Sequence, residues 1–573
     1  MDWKKFGRRI SCILLGVMLL LGAVACGPSE NEGGGGEEDL NGEITIAMPL
    51  SVTEKEVMKA LINAYMDENP GVIVHLNETV TSEGYQDYLT QTLAVENKND
   101  VPYDICQNSV VPDLLNVRTF IDYSQYLDEV NPYNGEDAVW REGMDPLAYM
   151  PNGSRREVFS LSFNTTKVRL FYNEDLLKQA EVDASQIKTW AQFIAALDKI
   201  QQTKFKDKID PTKEYYAVPF AVAGDQDSVI NTQLSWMIRG YADQYMRSAS
   251  ETYHAQPNDY CFDPVIDESW ALNYKPAGEN PTEEEWDAAY FNDNVANYTY
   301  NPLRVLKDYS EGKAGPWTDA FKSIYANMLD LFPKYAVLYD EKNPADRFRS
   351  TSWATAWTNF WTGNAAFILA TTDAYTDYQH FYEINGEDMF VLGEMDLIPM
   401  TAHPSYPDVK PEADYLRTLG GNFGYYAVVN KNAKQNALAL DFMKYWTSIA
   451  GQNVMMQKRS ELGSCITGAP LIEGVTIPEG VLPAEDPKIR GLADDNPINQ
   501  ISQGLKLAES RTIYQTLLQD LFCGTGASSA ASYINGKMTS FQQSLTVKKL
   551  MDKYLSNQGY RSNALENVTA SPF

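Results

Sequence analysis

The alternation of short apolar strand patterns with amphipathic helix patterns between residues 43 and 106 constrains the chain most. From Glu43 to Pro49, Ile44, Ile46 and Met48 alternate with Thr45 and Ala47 in a strand-like run. Thr53 with Glu56 then makes a capping box ahead of Val57, Leu61, Ala64 and Tyr65, which share one helical face. Asn69-Pro70-Gly71 stops that helix, and Val72 to Leu76 reads as a second strand. An amphipathic stretch from Tyr85 to Val95 leads to a short third strand, Tyr103 to Cys106. Strands that alternate with helices are joined by crossovers rather than hairpins, so this order predicts a parallel sheet covered by helices, an α/β fold.

At 573 residues and 44% hydrophobic composition the chain can bury more than one core, and two lobes are expected. Lys4, Lys5, Arg8 and Arg9 precede an apolar run from Ile10 to Leu21, too short to span a bilayer comfortably but suited to a signal peptide over residues 1–25. Ala23 and Ala25 lead into Cys26, and a cysteine at the end of a signal's apolar run resembles the lipobox of bacterial lipoproteins. Ala23 stands where that pattern usually carries Leu. The resemblance implies a lipid on Cys26 as the protein's membrane attachment. Residues 26–41, with Gly33 to Gly36 followed by Glu37, Glu38 and Asp39, cannot bury apolar area and read as a flexible tether.

The formal charge is −30, and losing residues 1–25, with four cations and one anion, makes it −33. Nucleic acid is therefore a poor partner, and the acidity reads as solubility near an anionic envelope. Cys12, Cys26, Cys106, Cys261, Cys465 and Cys523 include no C-x-x-C pair, which excludes the usual zinc signatures and a small disulfide scaffold while leaving one or two bridges open. Catalytic signatures are weak. His75, His254, His380 and His403 stand far apart, with no H-E-x-x-H and no G-x-S-x-G. Gly524-Thr525-Gly526 reads as a helix stop. Asp175 and Glu283 to Glu285 supply carboxylates, but glycosidase chemistry needs two aimed at one bond. Asp207 to Glu214 lacks the alternating oxygen ligands and glycine of a calcium loop, so no metal is expected, and no cofactor.

Val158 to Asn173 is dense in strand formers, and helices follow at Asp175 to Ala180 and Thr189 to Ile200, with Thr189 as cap. Within this region Leu170-Phe171-Tyr172-Asn173-Glu174-Asp175-Leu176-Leu177, then Lys188-Thr189-Trp190-Ala191-Gln192-Phe193, resembles the signature of family 1 extracellular solute-binding proteins, the group of the maltose-binding proteins. Three further stretches are similar to that family in the expected order. They are Phe360 to Phe367, the glycine-rich Leu419 to Val428, and a helix from Asn436 to Ile449 with Leu438, Phe442, Tyr445 and Ile449 on one face.

The resemblance implies a two-lobed, periplasmic-binding-protein-like (type II) fold with discontinuous lobes and hinge crossings near residues 161–169, 418–425 and 465–472. Residues 42–162 plus 424–468 form lobe 1, and 166–420 plus 471–573 form lobe 2. The Asn-, Asp-, Pro- and Tyr-rich segment 241–346 reads as an insertion in lobe 2, and 471–500 as a loop. The family further implies a monomer on the outer face of the cell membrane, on a Gram-positive surface, that delivers its ligand to ABC permease subunits.

In an α/β lobe, ligands sit beyond the carboxyl ends of the parallel strands. That rule selects Leu50 and Ser51 after the first strand, and Gln107, Asn108 and Ser109 after the third. In the second lobe it selects Asp225 after Val218-Pro219-Phe220, Trp236 on the following helix, and Thr372 and Asp373 after the strand Ala365 to Ala370, with Tyr375 beyond. The family often places a stacking aromatic at that last position, and Thr-Thr-Asp favours hydrogen bonding instead. Asn422 and Phe423 join the set through the glycine-rich segment. Trp353, Trp357 and Trp361 recur every four residues and read as core. A sugar site needs flat apolar faces and planar polar groups, and a chain with 35 Tyr and 11 Trp has the former in excess. The expected function is capture of a sugar or oligosaccharide without bond cleavage. Two alternatives stay open: a membrane-tethered glycan-processing enzyme, which would need converging carboxylates, and a non-transport surface glycan-binding protein with a shallow site.

Overall fold

The alternation over residues 42–107 folds as its pattern predicts. A computed structural model describes residues 40–80, 84–107, 116–149, 157–207, 210–226, 228, 233–248, 252–262, 300–372, 374, 390–416, 420–466, 469–481, 518–519, 521–522, 534, 536, 552, 555–556 and 559–573. The first elements are β1 (Gly42–Ala47), α1 (Val52–Glu68), β2 (Val72–Leu76), α2 (Tyr85–Leu93) and β3 (Ile105–Gln107). β1 pairs in parallel with β2 and with β3, so it lies between them. α1 begins two residues earlier than Thr53 suggests. Ser51 is its N-cap and accepts the Glu54 N–H at 3.2 Å, because Ser51-Val-Thr-Glu54 offers the same capping chemistry two residues upstream. Val57, Met58, Leu61, Ile62 and Tyr65 form its buried face, and the Asn69 N–H closes the helix on Tyr65 O.

β4 (Asn164–Asn173) organises the second sheet. It is followed by α3 (Glu174–Gln179), α4 (Trp190–Gln202), the hairpin β5 (Phe205–Lys206) and β6 (Glu214–Tyr215), β7 (Val218–Ala221) and α5 (Gln233–Tyr245). Then come α6 (Pro302–Ser310), α7 (Asp319–Tyr335), α8 (Pro344–Arg349), α9 (Trp353–Trp361), β8 (Ala365–Thr371) and β9 (Leu392–Met395). β4 runs antiparallel to β8 and β9, and β7 lies parallel to β8. β8 is buried from Ala365 to Ala370, as a strand covered on both faces must be. Ala366 and Leu369 join the core built by α4, α5 and α7, while Ile368 and Ala370 pack with Phe360 and Trp361 of α9. The segment read as an insertion supplies part of that core. Phe321, Ile324, Tyr325, Met328 and Phe332 of α7 are buried with α4 and α5, and its residues 263–299 lie outside the described set.

Thr189 caps α4 with both bonds of a capping box, its hydroxyl accepting the Gln192 N–H and the Gln192 side chain accepting the Thr189 N–H. Thr189→Ala is expected to cost about 1 kcal/mol in urea unfolding and to leave ligand affinity unchanged, since the cap is exposed on an outer helix. A loss of affinity without loss of stability would contradict this purely structural role for the Thr-Trp motif.

Next come β10 (Gly420–Phe423), β11 (Tyr426–Val428), α10 (Ala433–Trp446), α11 (Ile449–Glu461) and β12 (Ala469–Pro470), and Leu518, Leu521, Phe522, Leu555 and Tyr560 from the remaining chain join the core of the second sheet. The single helix expected over Asn436 to Ile449 is in fact two. The Thr447 and Ser448 hydroxyls donate to Met443 O and Tyr445 O, and Ser448 accepts the Gly451 N–H to cap α11. Gly451 permits the sharp turn, since a Cβ there would lie 2.2 Å from Tyr445 O. β11 joins the first sheet beside β3, whereas β10 and β12 join the second along the start of β4. Cys106, Cys261 and Cys465 are unbridged thiols.

Candidate functional site

The carboxyl ends of β1 and β3 are held together by one hydroxyl. Tyr85 of α2 places its oxygen 2.9 Å from the carbonyls of Ala47 and Gln107, and it accepts the Gln107 N–H at 3.0 Å. Burial pushes the titration of this phenol far up, so it stays a neutral donor and acceptor. Gln107 is half-buried and lies opposite Tyr426 of β11, while Ser51 stands exposed at the start of α1 with its hydroxyl oxygen bonded to Glu54 N. The Glu54 carboxylate is gripped by both terminal nitrogens of Arg459 at 2.6 Å, which ties the first turn of α1 to α11.

In the second sheet Gln233 does the equivalent work. Fully buried, it accepts the Ala223 N–H at 2.9 Å and donates to Ala221 O and Leu369 O at 2.7 and 3.1 Å, joining the ends of β7 and β8. The loop beyond β7 is pinned by Gly224 and Asp225 N–H groups donating to Thr351 O, and Asp225 accepts the Ser228 N–H at 2.8 Å. Thr372 is buried at the end of β8. Its N–H donates to Lys167 O, and its hydroxyl oxygen accepts the Lys167 N–H at 3.3 Å. Trp236 is half-buried, with its ring 6.0 Å from that of Trp353 and nearly perpendicular to it. Trp353, Trp357 and Trp361 continue as a ladder, the first pair tilted and the second edge-on, with Trp361 buried.

Backbone pairing connects these two groups of strand ends. Gln107 pairs with Tyr426, Tyr426 with Leu161, Asn422 with Thr165, Gly420 with Lys167, and Lys167 bonds Thr372. Gly424 turns the chain between the sheets with φ of 79°, where a Cβ would stand 2.7 Å from the Tyr426 hydroxyl, so only glycine fits. The candidates Ser51, Gln107, Asp225 and Thr372 therefore follow the strand ends of this row, Trp236 stands within the first turn of α5, and Asn422 and Phe423 lie on the connecting strand. Asn108, Ser109, Asp373, Tyr375 and Cys26 lie outside the described residues. The described candidates offer amide, hydroxyl and indole groups, with Asp225 as the one carboxylate and that engaged in a turn. No group of three or more His, Cys, Asp or Glu among the described residues could hold a metal ion.

Three residues of this framework escaped the sequence reading, and two of them leave the same trace. Gln233 falls on the buried face of α5 with Met237 and Tyr241, and Arg459 on that of α11 with Gln452 and Met455. A polar residue in an apolar stripe marks a buried polar junction. Tyr85 sits in stripe with Leu89 and Leu93, and an aromatic there reads simply as core.

A concavity of about 1450 Å³ lies at the opposite end of the second sheet. Asn173 at the end of β4, Val218 at the start of β7 and Asn364 just before β8 line it, with the β5–β6 hairpin and the ends of α7 and α9 around them. Its walls carry Lys178, Lys206, Lys213 and Arg347 against Asp175, Asp207, Glu214 and Glu341. None of the candidates selected from the sequence lines it.

Among solved structures, the chain is similar to one described in work on xylan utilization by the thermophilic bacterium Caldanaerobius polysaccharolyticus, at 14% identity over 88% of this chain and 100% of that one, with a TM-score of 0.52. Others include RafE in complex with raffinose (13% identity, 88% and 100% covered, TM-score 0.47). A third is the GacH receptor of Streptomyces glaucescens GLA.O, known unliganded and with acarbose (14%, 88% and 99%, TM-score 0.49). The first of these likenesses shows the two-lobed α/β fold. No curated protein sequence matches the chain. No helix among the described residues is long and apolar enough to cross a membrane. A family profile for bacterial extracellular solute-binding proteins matches residues 60–481, close to three-quarters of the sequence, and the chain belongs to that family.

Proposed function

We propose that this solute-binding protein captures a sugar or oligosaccharide between its lobes and delivers it to an ABC permease, held to the outer face of the membrane by a lipid on Cys26. The observation that carries the reading is the single row of strand ends, in which Gln107, Tyr426, Lys167 and Thr372 are linked through backbone pairs. Ligands of open α/β sheets settle at such ends, and here the ends of two sheets face one connecting region. Lobe 1 comprises residues 42–162 and 424–468, and lobe 2 residues 166–420 and the chain beyond 481; residues 471–481, expected in lobe 2, pack on lobe 1, where Ile472 bridges Met144 and Val481 packs with Met456 and Ile466. The segments around Asn164, Gly424 and Ala469 act as the hinge.

Ser51 and Gln107 approach the ligand from lobe 1, and Asp225, Trp236 and Thr372 from lobe 2, with Asn422 and Phe423 between them. Asn108, Ser109, Asp373 and Tyr375 complete the set. A solute that touches both lobes binds the closed form better than the open one, and that difference in affinity is what drives closure. Indole faces and amide or carboxylate edges match the C–H faces and hydroxyls of a pyranose. The xylan-utilization context of one fold relative agrees with that class. No covalent step is required, and the closed form is the state that the permease receives.

Thermal unfolding with raffinose, maltohexaose and xylohexaose, together with small-angle scattering of the free and saturated protein, tests the reading. A bound sugar at 100 times its Kd is expected to stabilise the fold by about 2.7 kcal/mol and to reduce the radius of gyration. Saturable binding with no compaction would replace capture between lobes with a shallow surface site. Release of reducing ends would replace it with an enzyme.

A further inference from the structure

We infer that lobe 2 carries a second, accessory groove for a neutral oligosaccharide, remote from the cleft and independent of lobe closure. The groove is the concavity of about 1450 Å³ described above, larger than the usual small-ligand pocket of roughly 300–1,000 Å³ and suited to several linked sugar rings. Asn364 lines it immediately before β8, and Thr372 follows the other end of that strand. At about 3.3 Å per residue, the groove and the cleft are roughly 25 Å apart, so one small ligand cannot occupy both.

The chemistry of the walls selects the ligand class. Four cations and four carboxylates line the groove, with Lys178 and Lys213 also paired to Glu174 and Asp210 beside it, so both signs are interspersed and no field of one sign forms there. Neither an anion nor a cation gains net attraction there. Among the described residues the Arg347 guanidinium and the Lys206 ammonium make no ion pair, which leaves planar and point donors available for hydroxyls. Tyr215 and Tyr216 supply aromatic surface, and the Tyr216 ring is propped by Tyr339 at 5.4 Å. Rings on the wall, amides from Asn359 and Asn364 and balanced charge form the combination that a polyhydroxylated neutral chain satisfies. A peptide would instead seek a free strand edge or deep apolar pockets, and the hairpin here is only two residues per strand.

All of the lining belongs to elements packed on the second sheet, so occupation of this groove makes no contact that differs between open and closed lobes. It therefore adds binding without compaction, and serves to retain a long glycan while its end is taken up in the cleft.

Calorimetric titration of the mature chain with maltohexaose, xylohexaose and chitohexaose, paired with scattering at each saturation point, separates the sites. At least one hexasaccharide is expected to bind with no change in radius of gyration. Tyr216→Ala should weaken that binding at least tenfold, and exposed Arg347→Ala several-fold, while any compaction-linked binding persists. The inference is overturned if none of the three binds without compaction, or if both variants leave the titration unchanged. Failure of the cleft reading gives the reverse pattern, with no compaction by any sugar and the groove titration intact.

Discussion

Between pH 10 and pH 12 the protein is expected to unfold cooperatively. Burial is the main cause that raises the hydroxyls of Tyr65, Tyr103, Tyr123, Tyr241, Tyr253 and Tyr426 well above the ordinary tyrosine value, and it carries Tyr245 and Tyr445 up to about 12. The unfolded chain releases these protons near pH 10, whereas the folded chain keeps them. The folded state then binds more protons, so stability is fully present below pH 10 and falls as pH rises toward the folded values. Each buried group contributes a slope of about 1.4 kcal/mol per pH unit. Six together give roughly 8 kcal/mol per unit, which is comparable to the whole stability of about 5–15 kcal/mol for a folded domain. Tyrosinate absorbance should therefore rise together with loss of the circular dichroism signal, in one step. Gradual ionisation of these tyrosines near pH 10 in a protein that keeps its native dichroism would mean that the hydroxyls are not buried.

Much of this architecture could be read from residue order because local pattern and tertiary role coincide. The strands of the first sheet alternate in hydropathy, and Thr189 with Gln192 spells a cap that the fold uses. Errors arose where two adjacent signals compete. Ser51 and Thr53 both precede a glutamate by three residues, and burial of Val57 and Met58 does not choose between them. The stripe through Leu438, Phe442 and Tyr445 continues smoothly into Ile449, yet the Ser448 hydroxyl captures the Gly451 N–H and starts a new helix. Strand ends were legible as site candidates because topology alone fixes where they point. The groove ahead of β8 was not, since its walls come from segments near residues 175, 213, 337, 347 and 363 that share no periodicity. Only packing assembles them.

The same distinction separates Gln233 from its neighbours, and gives the sharpest mutational expectation. Gln233→Leu keeps the volume and the helix but leaves Ala223 N–H, Ala221 O and Leu369 O without their side-chain partner in a fully buried setting. Each orphaned polar group costs about 1–3 kcal/mol, and the added apolar contact of leucine returns part of it, so a net loss of about 3–5 kcal/mol is expected. Gln233→Glu should be no better, because a carboxylate can accept from Ala223 but cannot donate to either carbonyl, and it brings a buried charge. Because the amide also fixes the loop that carries Asp225, the residual folded protein should bind its sugar more weakly than wild type, with the defect larger than that of Thr189→Ala. Urea unfolding measures the first effect and titration the second. A loss below 1 kcal/mol in the leucine variant would mean that the ends of β7 and β8 are held by packing rather than by this amide, and the positioning of the lobe 2 contacts would then need another source.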